Sequence, residues 1–369
     1  MFDTGEPTRD CGSLVGISRK HPFAARILRR WRGLTGGKGV RDTDRRTVVA
    51  CSGGADSVAL GCVLSAVEPK SVIAHVVHDI RDEQLVMRDR DAVKALAEKL
   101  GCAFHERRVS VVGLAGNLEA NARSARYGAL CEIASEVGAG VIVTGHHADD
   151  QLETVLMRMM RGTGVRGIGG VSPSLEMGSR LIVRPMLEIT REEIEGYCKE
   201  IGVGWVHDHT NDDEGYLRNR IRHSVLPILR EIEPEVAGRV SKLARSCRDT
   251  NKVIERVVRD GVVTSARKER IDNVEAWSWD RHELRDQSEA VLAELVFVYI
   301  GDALGGAGAD SVNREGIDMM VRGIKSGDTD PRVYRVGPMV VHVQARSVVI
   351  SMAGSSASSE AGQERSSDE

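Results

Sequence analysis

VVACSGGADSVAL, residues 48–60, opens on a β-branched apolar run, turns through two glycines and continues in a helix-compatible pattern. The turn holds Ser52, Asp56 and Ser57 and contains no lysine. A glycine-rich turn between a strand and a helix presents bare backbone N–H groups at a helix N-terminus, which is an anion site. A Walker loop needs G-x-x-x-x-G-K-[ST], and no such string occurs in the chain. A dinucleotide fingerprint needs G-x-G-x-x-G straight after a strand. GTGVRG, residues 162–167, has those letters but follows the helical run QLETVLMRMMR, so it reads as a helix end and a loop. In Ser52-Gly53-Gly54-Ala55-Asp56-Ser57 the hydroxyls and amides suit phosphate oxygens. Asp56 repels phosphate, so its sensible role is as a ligand to Mg2+ that bridges carboxylate and phosphates.

Working outward, strand and helix patterns alternate. TVVAC (47–51), SVIAHVVH (71–78), AFHERRVSV (103–111) and GVIVTGH (140–146) read as strands. DSVALGCVLSAV (56–67), RDRDAVKALAEKLG (88–101) and NLEANARSARYGALCEIASEVG (117–138) read as the helices between them. This rhythm predicts an α/β fold, a parallel sheet with helices on both faces, with ligands bound at the carboxyl ends of its strands. PFAARILRRWRG (22–33) predicts a basic amphipathic helix ahead of the first strand. After about residue 230 the rhythm changes: 233–261 reads as one long helix, 284–325 as mainly helical, and VYRVGPMVVHVQARSVVISM (333–352) as a small β-hairpin. The expected organisation is a flexible leader over 1–20, the α/β domain over 21–230, a smaller mixed α/β domain over 231–352, and a disordered tail over 353–369. The tail is rich in Ser, Ala and Glu and cannot bury a core.

The 369 residues allow two or three domains. With 41% hydrophobic and 28% charged residues the composition is that of an ordinary globular chain. A net charge of −3 means that any surface for nucleic acid must be a local basic patch. Seven cysteines (Cys11, Cys51, Cys62, Cys102, Cys131, Cys198, Cys247) form no C-x-x-C pair, which argues against a disulfide framework, a zinc ribbon and an iron–sulfur site. Reduced thiols in a cytoplasmic protein are expected, with no signal peptide and no membrane span.

The densest polar segment is TGHHADDQLETVLMRMMRGTG, residues 144–164. It sets His146, His147, Asp149, Asp150 and Glu153 at a strand end and a helix start. Asp150 and Glu153, three apart, share a helix face, while Leu152, Val155, Leu156 and Met159 are expected to form the buried stripe. Two polar clusters at strand ends of one sheet should face the same crevice. A two-metal phosphohydrolase built on the His and Asp residues is a rival reading, and simple helix capping by Asp149 or Asp150 a blander one.

The hexapeptide resembles the S-G-G-x-D-S signature of the PP-loop (N-type) ATP pyrophosphatases, whose fold is of the adenine nucleotide alpha hydrolase-like type. TGHHADDQLETVLMRMMRGTGVRGIGGV (144–171), together with NLEANARSARYGAL (117–130) and RPMLEITREEIEGYCKEIGVGWVHDHTNDDEGYLRNRIRHSVLPIL (184–229), resembles the bacterial tRNA(Ile)-lysidine synthases. The likeness runs in order from about residue 46 to about 240. It departs at His75-Val-Val-His78-Asp79-Ile80-Arg81, where the family reads H-x-N-H-G-L-R, and in the C-terminal domain, where RVYRVGPMVV (332–341) replaces an expected glycine-rich turn.

The resemblance implies an ATP-dependent ligase that forms a C–N bond. In that reaction the C2 oxygen of cytidine 34, in the CAU anticodon of tRNA(Ile), attacks the α-phosphate of ATP and pyrophosphate leaves. The ε-amine of free L-lysine then displaces AMP, giving lysidine and shifting codon reading from AUG to AUA. It implies that Ser52, Gly53, Gly54, Ala55, Asp56 and Ser57 bind ATP with Asp56 on Mg2+, and that His146 lies near the phosphates. It also implies that Asp150 and Glu153 serve catalysis and hold the amine, and that Arg218, Arg220 and Arg222 in LRNRIRHSVLP (217–227) touch tRNA or adenylate. A solvated helix face is the blander reading of those arginines. Sulfur-inserting PP-loop enzymes and a non-catalytic tRNA-binding protein are the alternatives; the first usually carry C-x-x-C pairs. His207-Asp208-His209 reads as a loop and Trp205 as packing, while Arg29, Arg30 and Arg32 are expected to face phosphate or water. Arg239, Lys242, Arg245 and Arg248 recur at a spacing able to follow an RNA backbone. The oligomeric state is left open, a homodimer included.

Overall fold

The computed structural model of the chain describes residues 17–67, 70–79, 83–113, 118–206, 217–271, 274–304 and 311–353. Ile80, Arg81, His207-Asp208-His209, most of the leader and nearly all of the tail lie outside the described residues. The chain forms two compact units, Met1–Met157 with Gly169–Ala244, and Arg158–Ile168 with Arg245–Glu369.

The first unit is built on a six-stranded sheet of β1 Thr47–Ala50, β2 Val72–His78, β3 Phe104–Val109, β4 Val141–Val143, β5 Ser174–Met177 and β6 Arg180–Val183. Its helices are α1 Pro22–Leu34, α2 Ala55–Ser65, α3 Glu83–Leu100, α4 Leu118–Glu136 and α5 Ala148–Met160. The chain continues through α6 Val165–Ile168, which groups with the second unit, then α7 Arg191–Glu200, α8 Leu217–Arg220, α9 Leu226–Ile232 and α10 Val236–Val257. The strand order is β3-β2-β1-β4-β6-β5, parallel throughout except for the β5–β6 hairpin. That hairpin goes beyond the four strands expected.

Alternation along the strands explains both layers. Val49, Ile73, Val141, Val143 and Val183 face one way, into a core with α1, α2, α3 and α7. Val48, Val72, Ala74, Ile142 and Ile182 face the other way, against Tyr127, Leu130, Ile133 and Ala134 of α4. Both faces of a parallel sheet are thus buried, which is why its strands are short runs of Val, Ile and Ala. The amphipathic α1 buries Phe23, Ala24, Ile27, Leu28 and Trp31 in the first core. Two of the arginines singled out there are engaged with protein: Arg30 pairs with Glu188, and Arg32 Nε lies 2.9 Å from Asp42 Oδ1, while Arg29 is exposed.

The second unit has a five-stranded antiparallel sheet of order β7-β8-β11-β10-β9. Its elements are β7 Arg267–Ile271, β8 Val274–Asp280, α11 Arg281–Arg285, α12 Glu289–Leu304, α13 Arg314–Lys325, β9 Arg332–Val336, β10 Met339–Val343 and β11 Ser347–Met352. The expected hairpin is therefore three strands of five. Trp277, Trp279, Tyr299 and Met320 anchor its core. Among the described residues no helix is long and apolar enough to cross a membrane.

Candidate active site at the switch point of the sheet

In the order β3-β2-β1-β4, the chain runs to one side of β1 through β2 and to the other side through β4. The carboxyl ends of β1 and β4 therefore flank the topological switch point, where open α/β sheets bind ligands. The residues that follow β1 are Ser52–Ser57, and those that follow β4 are Thr144–Asp150.

After β1 the backbone enters a left-handed turn at Gly53, φ 96°, a conformation open to glycine at little cost. The Gly53 carbonyl accepts the Val206 N–H at 2.9 Å. Ser57 braces the loop from beneath: its Oγ accepts the Ser52 N–H at 3.1 Å and donates to the Gly54 carbonyl at 3.0 Å. His75 Nδ1 lies 2.8 Å from the Cys51 carbonyl, and burial pushes this imidazole below its ordinary pKa, so it serves as a neutral strut. No side chain caps α2 at Gly54, which leaves its first-turn N–H groups to an anion.

The loop after β4 comes against this turn at Gly145. A Cβ there would lie 3.1 Å from the Asp56 carbonyl carbon and 3.2 Å from the Ser57 nitrogen. Only a residue without a side chain lets the two loops approach so closely. The next residues carry the charges. Buried His147 has Nε2 3.5 Å from Asp56 Oδ1 and 3.6 Å from Asp150 Oδ2, and Nδ1 3.4 Å from Asp149 Oδ2. Burial alone would lower the pKa of this imidazole, but the surrounding carboxylates of Asp150, Asp149 and Asp56 raise it well above the ordinary value. His147 thus ties the loop after β1 to the start of α5, its Nδ1 also accepting the Asp149 N–H at 3.2 Å. His146, one residue earlier, is pushed down to about 3 by burial, and its Nδ1 sits 2.9 Å from Thr144 Oγ1. Adjacent histidines are thus shifted in opposite directions.

Around α5 the carboxylates meet arginines. Glu153, whose side chain is 1% exposed, accepts Arg218 Nε at 2.7 Å and Arg222 Nε at 2.6 Å. Asp150 Oδ1 accepts Arg218 Nη2 at 3.0 Å, and Asp150 Oδ2 accepts the His147 N–H at 2.9 Å, a first-turn cap. Burial would raise the Asp150 pKa, but His147 and Arg218 hold it well below the carboxylate range. Asp149 accepts the α7 N-terminal N–H of Arg191 at 3.0 Å and is paired with Arg230.

Arg218, Arg222 and Arg230 come from one helical stretch that widens between α8 and α9 into a π-turn over Ile221–Val225. Pro227 follows one residue beyond it. A proline ring clashes with the carbonyl four residues back, here that of His223, and a widened turn relieves that clash. Ile221 and Leu226 of this stretch pack on Ala148 and Leu152 of α5.

The structure therefore brings Asp56, Asp150, Glu153, His146, Arg218 and Arg222 into one region, and leaves Arg220 exposed on the other side of α8. The apolar stripe of α5 needs one correction. Leu152 and Val155 are buried as expected, but Met159, in the last turn of α5, is 56% exposed. His147 as hub and Arg230 as partner of Asp149 were not singled out by the sequence. The His-His doublet was the available signal for the first, and nothing in the spacing pointed to the second.

Among the described residues no group of three or more His, Cys, Asp and Glu side chains is disposed to hold a metal ion by itself. Asp56 Oδ1 is nonetheless a buried oxygen that makes no hydrogen bond, with only the His147 ring nearby at 3.5 Å. A lone hard-oxygen ligand of this kind fits Mg2+, which takes one or two carboxylates and completes its shell with water and phosphate.

Curated relatives align with the chain, among them the following three. A tRNA(Ile)-lysidine synthase from Thermus thermophilus is 39% identical over 217 residues, 57% of this chain and 40% of that protein. One from Salinispora tropica is 40% identical over 205 residues, 54% of this chain and 61% of that protein. One from Geobacter sulfurreducens is 35% identical over 247 residues, 64% of this chain and 51% of that protein. The chain spans from two fifths to about three fifths of the length of these relatives. The family described as PP-loop domain matches residues 25–229, which is more than half of the chain and takes in the turn after β1, the loop after β4 and the arginines that face it. The chain belongs to the PP-loop domain family.

Proposed function

We propose that this protein is an ATP-dependent ligase that joins free L-lysine to C2 of cytidine 34 in tRNA(Ile) with a CAU anticodon, through an adenylated cytidine. The observation that carries the proposal is the close approach at Gly145, which sets the anion-binding turn and the acidic start of α5 into one crevice. Activation and displacement at one base need both in one place. The relatives that share this region are lysidine synthases.

In this reading the first-turn N–H groups of α2 and the Ser52 hydroxyl hold the triphosphate of ATP. Asp56 holds Mg2+, which when bound neutralises charge on the departing pyrophosphate. The C2 oxygen of the cytidine bonds to the α-phosphorus as the bond to pyrophosphate breaks. The lysine ε-ammonium gives up one proton to water, and the resulting amine bonds to C2 as the bond from C2 to the AMP oxygen breaks. Chemistry of this kind depends on positioning and charge neutralisation. Asp150, with its pKa held so far down, suits an anchor for the ammonium better than a base. Glu153, enclosed by two arginines, positions those arginines and does not touch substrate. His146, neutral at working pH, lies beside the phosphates as a hydrogen-bonding group. Arg220, exposed, is left for the RNA backbone. The reading includes a cytoplasmic location for the protein.

The experiment is incorporation of radiolabelled lysine into a tRNA(Ile) transcript with a CAU anticodon, with and without ATP, beside an elongator methionine tRNA. The expected result is ATP-dependent labelling of the first tRNA alone, abolished by Asp56→Ala. Conversion of ATP to AMP with some other tRNA and no lysine incorporated would keep the nucleotide chemistry and refute the substrate.

A further inference from the structure

The carboxylate that the proposed function assigns to an incoming ammonium already has a cation on it. Asp150 Oδ1 lies 3.0 Å from Arg218 Nη2, and its other oxygen accepts the His147 N–H at 2.9 Å. The side chain of Asp150 is 15% exposed, so little of it is open to anything else. Asp56, Asp149, Asp150 and Glu153 stand against His147, Arg218, Arg222 and Arg230. An ammonium brought to Asp150 would crowd the Arg218 guanidinium already on it, a costly state in a largely buried region unless that cation moves away or an anion arrives. ATP is such an anion, and the turn that suits its phosphates is tied to Asp150 through His147.

The two arginines on α5 are not equivalent. Arg222 commits both its near nitrogens to Glu153, at 2.6 and 3.1 Å, and stands 3.9 Å from Asp150. Arg218 splits its guanidinium, with Nε on Glu153 at 2.7 Å and Nη2 on Asp150 at 3.0 Å. Its side chain is 25% exposed and lies on the short α8, just before the widened turn. Arg218 can give up Asp150 without giving up its whole anchorage, whereas Arg222 reaches Asp150 only as a 3.9 Å ion pair with no hydrogen bond to transfer.

We propose that Arg218 is an exchange arginine: it covers Asp150 in the empty site, passes to a phosphate oxygen when nucleotide binds, and thereby opens Asp150 to the substrate ammonium only after the nucleotide is in place. The inference rests on the function proposed above and adds an order of binding to it. It makes Arg218 a specificity-determining residue. A free amine that arrives before ATP finds its carboxylate occupied, and a guanidinium fork that matches a carboxylate matches a phosphate equally well.

The test is equilibrium binding of radiolabelled L-lysine to the full chain, in the absence of tRNA, with and without Mg2+ and the non-hydrolysable analogue α,β-methylene ATP. For the unaltered protein, lysine affinity is expected to rise about tenfold or more with the nucleotide, the size of one charge-assisted hydrogen bond. Arg218→Gln is expected to bind lysine without nucleotide about as tightly as the unaltered protein binds it with nucleotide. Arg222→Gln and Arg218→Lys are expected to keep the nucleotide dependence, and thermal midpoints of all variants report whether the fold is retained. Lysine binding that is equally tight with and without nucleotide overturns the exchange and leaves the proposed function standing. An Arg218→Gln variant that folds and keeps the full dependence overturns it as well. Absence of lysine binding in every state, with the nucleotide analogue still bound, overturns the lysine reading itself and the exchange with it.

Discussion

Glu153→Gln is the sharpest perturbation of the arginine cluster, because it keeps the shape and removes the charge. Glu153 receives three hydrogen bonds from Arg218 and Arg222, at 2.7, 2.6 and 3.1 Å, and its side chain is 1% exposed. A glutamine keeps one acceptor oxygen and turns an NH2 toward a guanidinium that can only donate. At least one charge-assisted bond is lost, which costs roughly 1.5–3 kcal/mol, and the remaining ones weaken. The arginine side chains are 25% and 29% exposed, so water recovers part of the loss. A net destabilisation of about 2–3 kcal/mol follows, a lowering of the thermal midpoint by roughly 5–10 °C for a unit of this size. Urea unfolding of the wild type, Glu153→Gln, Arg222→Gln and the double variant measures it, and the double-mutant cycle should return a coupling of about 1 kcal/mol or more. A loss under about 1 kcal/mol with no coupling would refute the claim that these arginines grip Glu153 in the folded protein.

Three further outcomes are expected. Gly145→Ala forces backbone against backbone at the closest point of the two loops, so nucleotide affinity should fall by about tenfold, consistent with an overpacking cost of about 1–3 kcal/mol, in a direct binding titration; unchanged affinity would separate the two loops functionally. Stability should peak near pH 6.5. His146 stays neutral down to about 3, so below pH 6.5 the unfolded chain takes up a proton that the folded one refuses, and about 2 kcal/mol is lost by pH 5. His147 acts oppositely: its share is intact below pH 6.5 and is lost as pH rises through its elevated folded value. Urea midpoints from pH 5 to 8 should show a peak for the wild type and a smaller acid-side fall for His146→Asn, with some slope left from His75; an unaltered acid limb in that variant would contradict the assignment. Pro227→Ala restores a hydrogen-bond donor and removes the clash behind the π-turn, so hydrogen exchange should show a tighter helix over 217–232, and protection unchanged across that stretch would put the cause elsewhere.

The chemistry was legible where it depends on local pattern. The turn after β1 announces itself by two glycines between an apolar strand and a helix, and HHADD by its density of charge. Their convergence followed from strand alternation alone, since parallel strands place their carboxyl ends together. The β5–β6 hairpin escaped notice because SLEM is an exposed edge strand with no alternating pattern, and RLIV is four residues long. β7 and β8 were missed for a related reason: RKERI carries charge on both faces. The arginine partners lay beyond reach, since LRNRIRHSVLPILR shows basic residues at mixed spacing and the side they face depends on a turn that local propensity does not specify.

That turn can be read as a matter of phase. Arg230 stands twelve positions after Arg218. At about 100° per residue an unbroken α-helix would point the two roughly 120° apart, one toward α5 and one away from it. A π-turn holds about one residue more than an α-turn, and taking one step out leaves roughly 20° between them. Arg218, Arg222 and Arg230 thereby align along one side and reach Glu153, Asp150 and Asp149 in turn. The helix behaves as a ruler with one wide division. Straightening 221–225 into plain α-helix without removing a residue would leave every side chain of the cluster in the sequence, yet would rotate Arg230 and all that follows it by about 100° away from Asp149.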